Sequence, residues 1–408
     1  MEIMSPAGSF ESLQSAIKAG ADSIYFGVGK LNMRAQAAKN FTLEDLESVI
    51  KICKENQVRS YLTLNTVMYN EDLEEVKKIC DKVKELGITS IIASDLAVIQ
   101  YANSINLNVH ISTQANVSNI EALKFFSKFS DVIVLARELN LEQIKEICNQ
   151  VKEQKIKGPS GELVKIEIFI HGALCVANSG KCYMSLALYN TSANRGQCVQ
   201  PCRRGYKITD EETDQELLID NKYVMSPKDL CTIKFLDQIL DSGVSVLKIE
   251  GRGRSPEYVY TVTKVYKEAI EAYKEKDYTK EKIEAWLEEL ESVYNRGFWQ
   301  GGYYLGNKLG EWAGTYGSKA TKQKVYLGRV INYFKNVNVA EFILEADEVS
   351  VGDEILITGP TTGLVKEKVR SILSSKKEMN SAKKGDHITI PVKEQLRPND
   401  QLYKLSKV

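Results

Sequence analysis

The sequence predicts an α/β fold: a TIM-like (β/α)8 barrel with a cysteine-rich insertion, followed by a small C-terminal β-barrel domain. Short apolar runs alternate with helix-length amphipathic runs up to about residue 250, and eight of the apolar runs read as strands. One connection, 171–227, is much longer than the rest, and the chain from about Lys322 is β-rich with Gly-Asp turns. Eight strand–helix alternations are typical of a closed barrel. An open doubly wound sheet shares this pattern and stays the alternative.

The predicted strands are runs rich in Val, Ile and Tyr with polar residues at both ends. They cover 2–6, 23–28, 60–65, 90–94, 108–114, 131–137, 165–170 and 245–250. Apolar residues at three- and four-residue spacing predict amphipathic helices over 44–56, 72–86 and 141–153. Gly20 and Gly87 stand just before strands, where a left-handed residue commonly ends the preceding helix.

The predicted domain limits follow from these changes in pattern. We assign 1–310 to the barrel, with the insertion at 171–227 and a helical extension at 255–296, and 322–408 to the small β-barrel domain. The aromatic and glycine-rich stretch 296–306 either packs as a turn over one end of the barrel or offers a base-stacking surface. The module 322–408 carries 15 Lys and Arg against 11 Asp and Glu, which allows either a substrate-docking or a purely structural role.

The composition excludes several classes of protein. Lys plus Arg and Asp plus Glu both total 54, so nucleic-acid binding would need a local basic patch. The sequence contains no run of 18 apolar residues, so it predicts no membrane-spanning helix. The N-terminus has no basic segment ahead of an apolar run, so we expect a cytoplasmic protein. Eight cysteines in such a protein indicate metal ligands or core thiols rather than disulfides.

Four cysteines are clustered in the insertion with the spacing C-x6-C-x15-C-x3-C. They are Cys175, Cys182, Cys198 and Cys202. Four thiolates can hold zinc or an iron–sulfur cluster, and the wide first spacing with a single short pair favours the cluster. Cys53, Cys80 and Cys148 lie in predicted helices and are expected in the core. Cys231, placed at the start of a helix, is expected in the core or as a substitute ligand.

The segment from Cys175 to Lys207 is basic. It contains five Lys and Arg residues and no Asp or Glu. This charge either balances metal-bound thiolates or contacts an anion such as phosphate beside them.

Several long segments resemble the collagenase-like peptidase family U-32, in the order in which that family carries them. They are 5–8, 25–27, 167–175, 179–185, 194–203, 247–252 and 255–258. The resemblance covers about residues 1–310. The C-terminal module resembles the small β-barrel appended to longer members of the family.

The resemblance implies two activities. The family name implies proteolysis, whereas its better understood bacterial branches imply oxygen-independent hydroxylation dependent on a 4Fe-4S cluster. Those branches include prephenate-dependent tRNA uridine hydroxylation, ribosomal RNA cytidine hydroxylation, and a pair of proteins in ubiquinone synthesis. The implied ligands are the four clustered cysteines, and the close pair Cys198 and Cys202 favours the RNA-acting branches. The expected partners are tRNA or ribosomal RNA, with a related partner subunit as a further possibility.

The residues favour hydroxylation over proteolysis. A peptidase needs an activated nucleophile or a metal-bound water, and the chain has three histidines, no H-E-x-x-H and no G-x-S-x-G. A pair of His171 and Cys175 is conceivable, but it abandons the four-cysteine site. Of the activities that the resemblance implies, we therefore expect conversion of tRNA uridine to 5-hydroxyuridine, with ribosomal RNA hydroxylation, another cluster-dependent modification and peptidase activity as alternatives.

Polar residues at the carboxyl ends of the predicted strands should line the site. They are Asn65, Asp95, Gln114, Arg137, His171 and Glu250, joined by Arg34 and Arg252 from loops. Arg137 and Arg252 suit a dicarboxylate such as prephenate, because a guanidinium binds a carboxylate with two hydrogen bonds. We take Arg137, His171, Glu250 and Arg252 as the candidate catalytic residues. His110 is expected in the core.

Overall fold

Eight parallel strands close into a barrel in the computed structural model, which describes residues 1–207, 209, 211–213, 223–299, 301–306, 311–375 and 377–408. The barrel strands are β1 (Glu2–Pro6), β2 (Ser23–Gly27), β3 (Arg59–Leu64), β4 (Ser90–Ala93), β5 (Val109–Ile111), β6 (Val132–Val134), β7 (Lys165–Gly172) and β9 (Val246–Ile249). Strand β9 pairs in parallel with both β7 and β1. This double pairing closes the sheet, so the barrel prediction is confirmed and the open sheet is excluded.

Helices lie between the barrel strands, in the insertion and after the last barrel strand. They are α1 (Phe10–Lys18), α2 (Asp45–Glu55), α3 (Leu73–Leu86), α4 (Leu96–Ser104), α5 (Ile120–Ser127), α6 (Leu141–Glu153), α7 (Met184–Tyr189), α8 (Leu236–Asp241), α9 (Pro256–Lys274) and α10 (Lys280–Glu291). The three predicted helices match within one residue at each end, because their apolar stripes face the barrel. Gly87 ends α3 with a φ of +69°, as its position predicts. Across the described ranges, the helices are too short or too polar to cross a bilayer.

The barrel interior combines an apolar layer with buried ion pairs. The apolar layer consists of Met4, Tyr25, Tyr61, Ile92, Val132 and Val246. Next to it, Glu167 lies between the Lys248 ammonium, at 2.7 Å, and Nδ1 of His110, at 3.3 Å. His110 is therefore a partnered residue inside the barrel, as the sequence predicts.

The cysteine-rich insertion follows β7, and the short strand β8 (Asp229–Cys231) comes directly after it and before β9. Strand β7 extends two residues beyond its predicted end, and His171 within it pairs antiparallel with Cys231. Cys231 thus lies at the end of a strand, and its predicted place at a helix start is wrong. Its side chain is buried against Tyr266 of α9, which favours the core role over the ligand role.

The aromatic stretch after α10 packs against the barrel. Strand β10 (Phe298–Trp299) pairs in parallel with β8, and Trp299 is buried. The hydroxyl of Tyr304 donates to the carbonyl oxygen of Phe169 at 2.8 Å. For these two side chains the burial favours packing over base stacking, while Gln300 lies outside the described residues.

The C-terminal module is an antiparallel sheet with its own core. Its strands are β11 (Lys322–Phe334), β12 (Val339–Leu344), β13 (Val349–Ser350), β14 (Glu354–Gly359), β15 (Gly363–Lys368), β16 (Ile372–Ser374), β17 (Lys377–Met379), β18 (Ser381–Ala382), β19 (His387–Pro391) and β20 (Gln401–Lys407). The main sheet has the order β15-β14-β20-β11-β12-β19-β16-β17, and the pairings seen in the described residues do not join its two edges. Its apolar core is separate from that of the barrel. The domain limits at 310 and 322 stay predictions.

Strand β15 of the module packs against α1 of the barrel, and we expect Gly363→Ala to weaken that contact. Gly363 has a φ of +69°, and a Cβ there would lie 2.8 Å from Cβ of Gln14 in α1. Gly352 is the matched control, because its φ is +98° but a Cβ there meets nothing within 4 Å. Gly352→Ala should cost about 1–2 kcal/mol of backbone strain alone. Thermal unfolding should show a larger loss for Gly363→Ala, and equal losses would contradict this packing.

Candidate functional site

A cavity of about 150 Å³ opens at the carboxyl ends of the barrel strands, where active sites of such barrels lie. Its lining includes five cationic side chains, namely Arg34, Arg137, Arg203, Lys248 and Arg252. Glu250 is the acidic side chain in this lining, and Cys175, Cys198 and Cys202 contribute thiols. Positive charge therefore dominates a small enclosed space, which suits an anionic ligand.

Arg34 and Glu250 form the central ion pair of the cavity. Nη2 and Nε of Arg34 donate to Oε1 of Glu250 at 2.8 and 3.1 Å. Burial alone would raise the pKa of Glu250, but the charges of Arg34, Arg252 and Arg137 outweigh it and hold that pKa below its usual value. Glu250 is consequently ionised at neutral pH and acts as a hydrogen-bond acceptor.

Arg252 lies deeper and is held by neutral partners. Its Nη1 donates to Oδ1 of Asn32 at 2.9 Å and to Oγ1 of Thr63 at 2.7 Å. Burial lowers the pKa of Arg252 to about 10, which still leaves the guanidinium charged at neutral pH. Gly27 provides the space, because a Cβ there would lie 2.6 Å from Nη1 of Arg252.

Arg137 has a donor that is not used. Nη2 donates to the carbonyl oxygen of Ala173 at 3.0 Å, and the guanidinium lies 4.7 Å from the ring centre of Phe169. Its Nε is buried and has no hydrogen-bond partner among the described residues. A buried donor of this kind usually has a partner, so it marks a position for a ligand atom or a water.

The four clustered cysteines differ from the other four in exposure. Cys175 is exposed and Cys182, Cys198 and Cys202 are partly buried, whereas the remaining cysteines are buried. Burial raises the pKa of the Cys202 thiol to about 11 and also raises that of Cys182. In number and type these thiols fit a zinc or iron–sulfur centre. Within the described residues, however, no group of three or more Cys, His, Asp or Glu side chains is already spaced to hold a metal ion.

His171 does not line the cavity, contrary to the site role predicted for it. Its ring is buried among Tyr258, Tyr266 and Phe298, and Nδ1 lies 3.3 Å from the hydroxyl of Tyr266. Burial lowers the pKa of His171 to about 3. The longer β7 explains the difference, because it carries residue 171 into the layer between barrel and helix α9 rather than into the loop.

None of the three histidines, all within the described ranges, is hydrogen-bonded to a cysteine. His110 is paired with Glu167 inside the barrel, and His387 begins strand β19 of the module. The structure therefore does not form the His171–Cys175 pair that a thiol peptidase would need.

Several of the predicted strand-end residues meet in the cavity. Asn65, Gln114, Arg137 and Glu250 line it, together with Arg252. Asp95 instead accepts the hydrogen bond from the backbone N–H of Ala97 that caps helix α4.

Sequence reasoning undervalued three cavity residues. Arg34 is predicted in the lining without a role, and Lys248 and Tyr25 are not among the predicted site residues. The alternation along β9 does put Lys248 and Glu250 on one face, and this signal could have placed both in the cavity. The Arg34–Glu250 pair could not be found this way, because the two residues are 216 positions apart in the chain.

The chain belongs to peptidase family U32, whose model matches residues 8–314. A relative named collagenase, from Porphyromonas gingivalis, is 55% identical over 406 residues, which cover 100% of this chain and 98% of the relative. The tRNA hydroxylation protein P1 of Bacillus subtilis is 31% identical over 88% of this chain and 83% of its own length. The 23S rRNA 5-hydroxycytidine C2501 synthase of Escherichia coli is 33% identical over 67% of this chain and 39% of its own length. The relatives thus carry both peptidase and RNA-hydroxylation names.

We expect His171→Gln to remove a pH-dependent part of the stability. With a folded-state pKa of about 3, His171 stays neutral in the fold, while the unfolded chain protonates it below about pH 6.5. The contribution of neutral His171 is present above pH 6.5 and is lost as the pH falls from there towards 3, at about 1.4 kcal/mol per unit. Between pH 6.5 and 5, urea unfolding should show the wild type losing about 2 kcal/mol more than the variant. Equal losses would mean that the folded protein protonates His171, as a Cys–His pair requires.

Proposed function

We propose that this protein is an iron–sulfur-dependent RNA hydroxylase, and that its reaction is the conversion of tRNA uridine to 5-hydroxyuridine. The observation that carries the proposal is the cavity itself. Three of the four clustered cysteines, Cys175, Cys198 and Cys202, face a cation-lined space at the catalytic end of the barrel, and no histidine there activates a thiol.

Cys175, Cys182, Cys198 and Cys202 would hold the 4Fe-4S cluster. Their exposure supports this, because a cluster must be assembled on accessible thiols, and the buried cysteines elsewhere are not accessible. When bound, the cluster would supply electron transfer or an open iron for substrate binding, which side chains cannot provide. Zinc on the same four thiols is the alternative cofactor.

The cavity cations would bind the anionic co-substrate. Prephenate, the dicarboxylate implied by the family resemblance, would find donors on Arg137 and Arg252, and Nε of Arg137 lacks another partner in the described structure. Replacing a ring C–H by C–OH removes two electrons from the base, so the reaction needs an electron acceptor as well as an oxygen donor.

Glu250 would orient the substrate base. Because surrounding arginines hold its pKa low, the carboxylate can accept a hydrogen bond from a ring N–H or a hydroxyl group but does not donate a proton at neutral pH. Arg34 keeps it in place through two hydrogen bonds. Glu250 is therefore an acceptor that fixes orientation rather than a general acid.

Peptidase activity is the second candidate, and the 55% identity to the collagenase of Porphyromonas gingivalis favours it. Its difficulty is chemical. The described structure pairs no histidine with a cysteine, so an activated thiol has no support. Ribosomal RNA cytidine is the alternative substrate for hydroxylation, and a cytoplasmic location suits either RNA.

Expression in a bacterial strain without its own tRNA hydroxylation proteins should restore 5-hydroxyuridine-type nucleosides in tRNA. Mass spectrometry of the digested nucleosides measures this directly. Hydroxylated cytidine in ribosomal RNA, with no change in tRNA, would show that the substrate is ribosomal RNA and that the reaction is still a hydroxylation. Cleavage of gelatin by the purified protein, lost on Cys175→Ala and without any hydroxylated nucleoside, would establish the peptidase alternative.

Alanine at any one of the four clustered cysteines should abolish both the hydroxylated nucleoside and the visible cluster absorbance of anaerobically purified protein. A four-thiolate site has no spare ligand. Cys53→Ala is the control, because Cys53 is buried in helix α2 and only packs there. Retained absorbance and activity in Cys198→Ala would contradict the ligand assignment.

A further inference from the structure

A second groove adjoins the cavity on the side of the cysteine loop. We call it the arginine–tyrosine groove and define it by Arg203, Arg204, Arg296, Tyr294 and Tyr316. Its volume is about 420 Å³, and it shares Cys198, Gln200 and Arg203 with the cavity. Its lining, drawn from described residues, contains no Asp or Glu.

The cations of this groove are not equivalent. Arg203 donates to the carbonyl oxygens of Pro227 and Leu174, and Arg296 pairs with Asp229 at 3.2 Å, so both are held by the protein. Arg204 is exposed; its guanidinium lies 5.0 Å from the ring centre of Tyr189, and its Nη1 donates to the hydroxyl of that tyrosine. Arg204 is thus the cation of the groove that faces solvent and can meet a phosphate.

Tyrosine rings accompany these arginines. Tyr316 is 71% exposed, so its ring is open to solvent. The guanidinium of Arg254 lies 3.6 Å from the ring centre of Tyr294, and that of Arg296 lies 5.2 Å from it. Stacked arginines hold such rings in fixed orientations at low entropic cost.

We propose that the arginine–tyrosine groove binds an unpaired RNA segment beside the nucleotide in the cavity. Exposed aromatic rings stack unpaired bases, and neighbouring arginines neutralise the phosphates, whereas the bases of a duplex are already stacked on one another. The shared residues Cys198 and Gln200 show that the two spaces adjoin, so a strand with its target base in the cavity would place the neighbouring nucleotides at the groove. This inference rests on the proposed function.

An extended peptide is the less suitable occupant. Proline-rich peptides also dock on aromatic grooves, but they offer no negative charge to Arg204 and the other cations. Addition of a peptide strand would need an open sheet edge. The backbone segments that line the groove, 198–204 and 315–317, contain no β-strand.

Fluorescence anisotropy with a labelled single-stranded oligoribonucleotide and with a duplex of the same sequence tests the groove. Tyr316→Ala should weaken single-strand binding by about 5- to 150-fold, as the loss of one stacked base does, and leave the duplex unaffected. Arg204→Gln should weaken binding and lower the slope of log affinity against log salt by about one. Phe125→Ala is the matched control, because Phe125 is an exposed aromatic residue on helix α5, on the outside of the barrel.

Unchanged thermal unfolding and iron content in Tyr316→Ala would ensure that a loss of binding is local. Single-strand affinities equal to wild type in both variants would overturn the groove assignment, even where the hydroxylated nucleoside is made. Binding that depends on Tyr316 and Arg204 without any hydroxylated nucleoside would support the groove and reject the proposed reaction. Binding of gelatin but not of RNA, with the same dependence, would make a polypeptide the occupant and overturn the inference.

Discussion

The pairing of strand β9 with both β1 and β7 is the constraint on which the site depends. It closes the barrel and brings residues from the two ends of the alternating region together. Alternation along the strand turns Lys248 and Glu250 towards the same space. There Lys248 meets Glu167 of β7 and Glu250 meets Arg34 of the loop after β2. Without closure, none of these pairs could form.

Compensation of charge decides which cavity residue is available to a ligand. Burying a cation is costly unless it is paired or hydrogen-bonded. Lys248 has Glu167, Arg34 has Glu250, and Arg252 has two neutral acceptors. Arg137 is different, since Nε has no partner in the described part of the chain. Arg137 therefore keeps a hydrogen-bond donor available for an anionic ligand.

Secondary structure could be predicted from the sequence better than the arrangement of the residues in space. The helices around Cys53, Cys80 and Cys148 matched closely because burial of an apolar stripe leaves a clear period in the sequence. Two errors arose where strands meet across the insertion. Because β7 pairs with β8, His171 lies between the barrel and helix α9, and Cys231 lies in a strand. Pairing between such distant segments leaves no local period in the sequence, so it could not be predicted. The cysteine spacing indicated a ligand set, but spacing alone does not determine the arrangement of the four thiols.

Metal and sulfide analysis after anaerobic purification tests most directly the claim that the four clustered cysteines hold a redox cofactor beside the cavity. The account predicts about four irons and four acid-labile sulfides per chain. One zinc per chain with no sulfide would contradict it, because the insertion would then be a structural zinc site and the cavity would lack its redox centre.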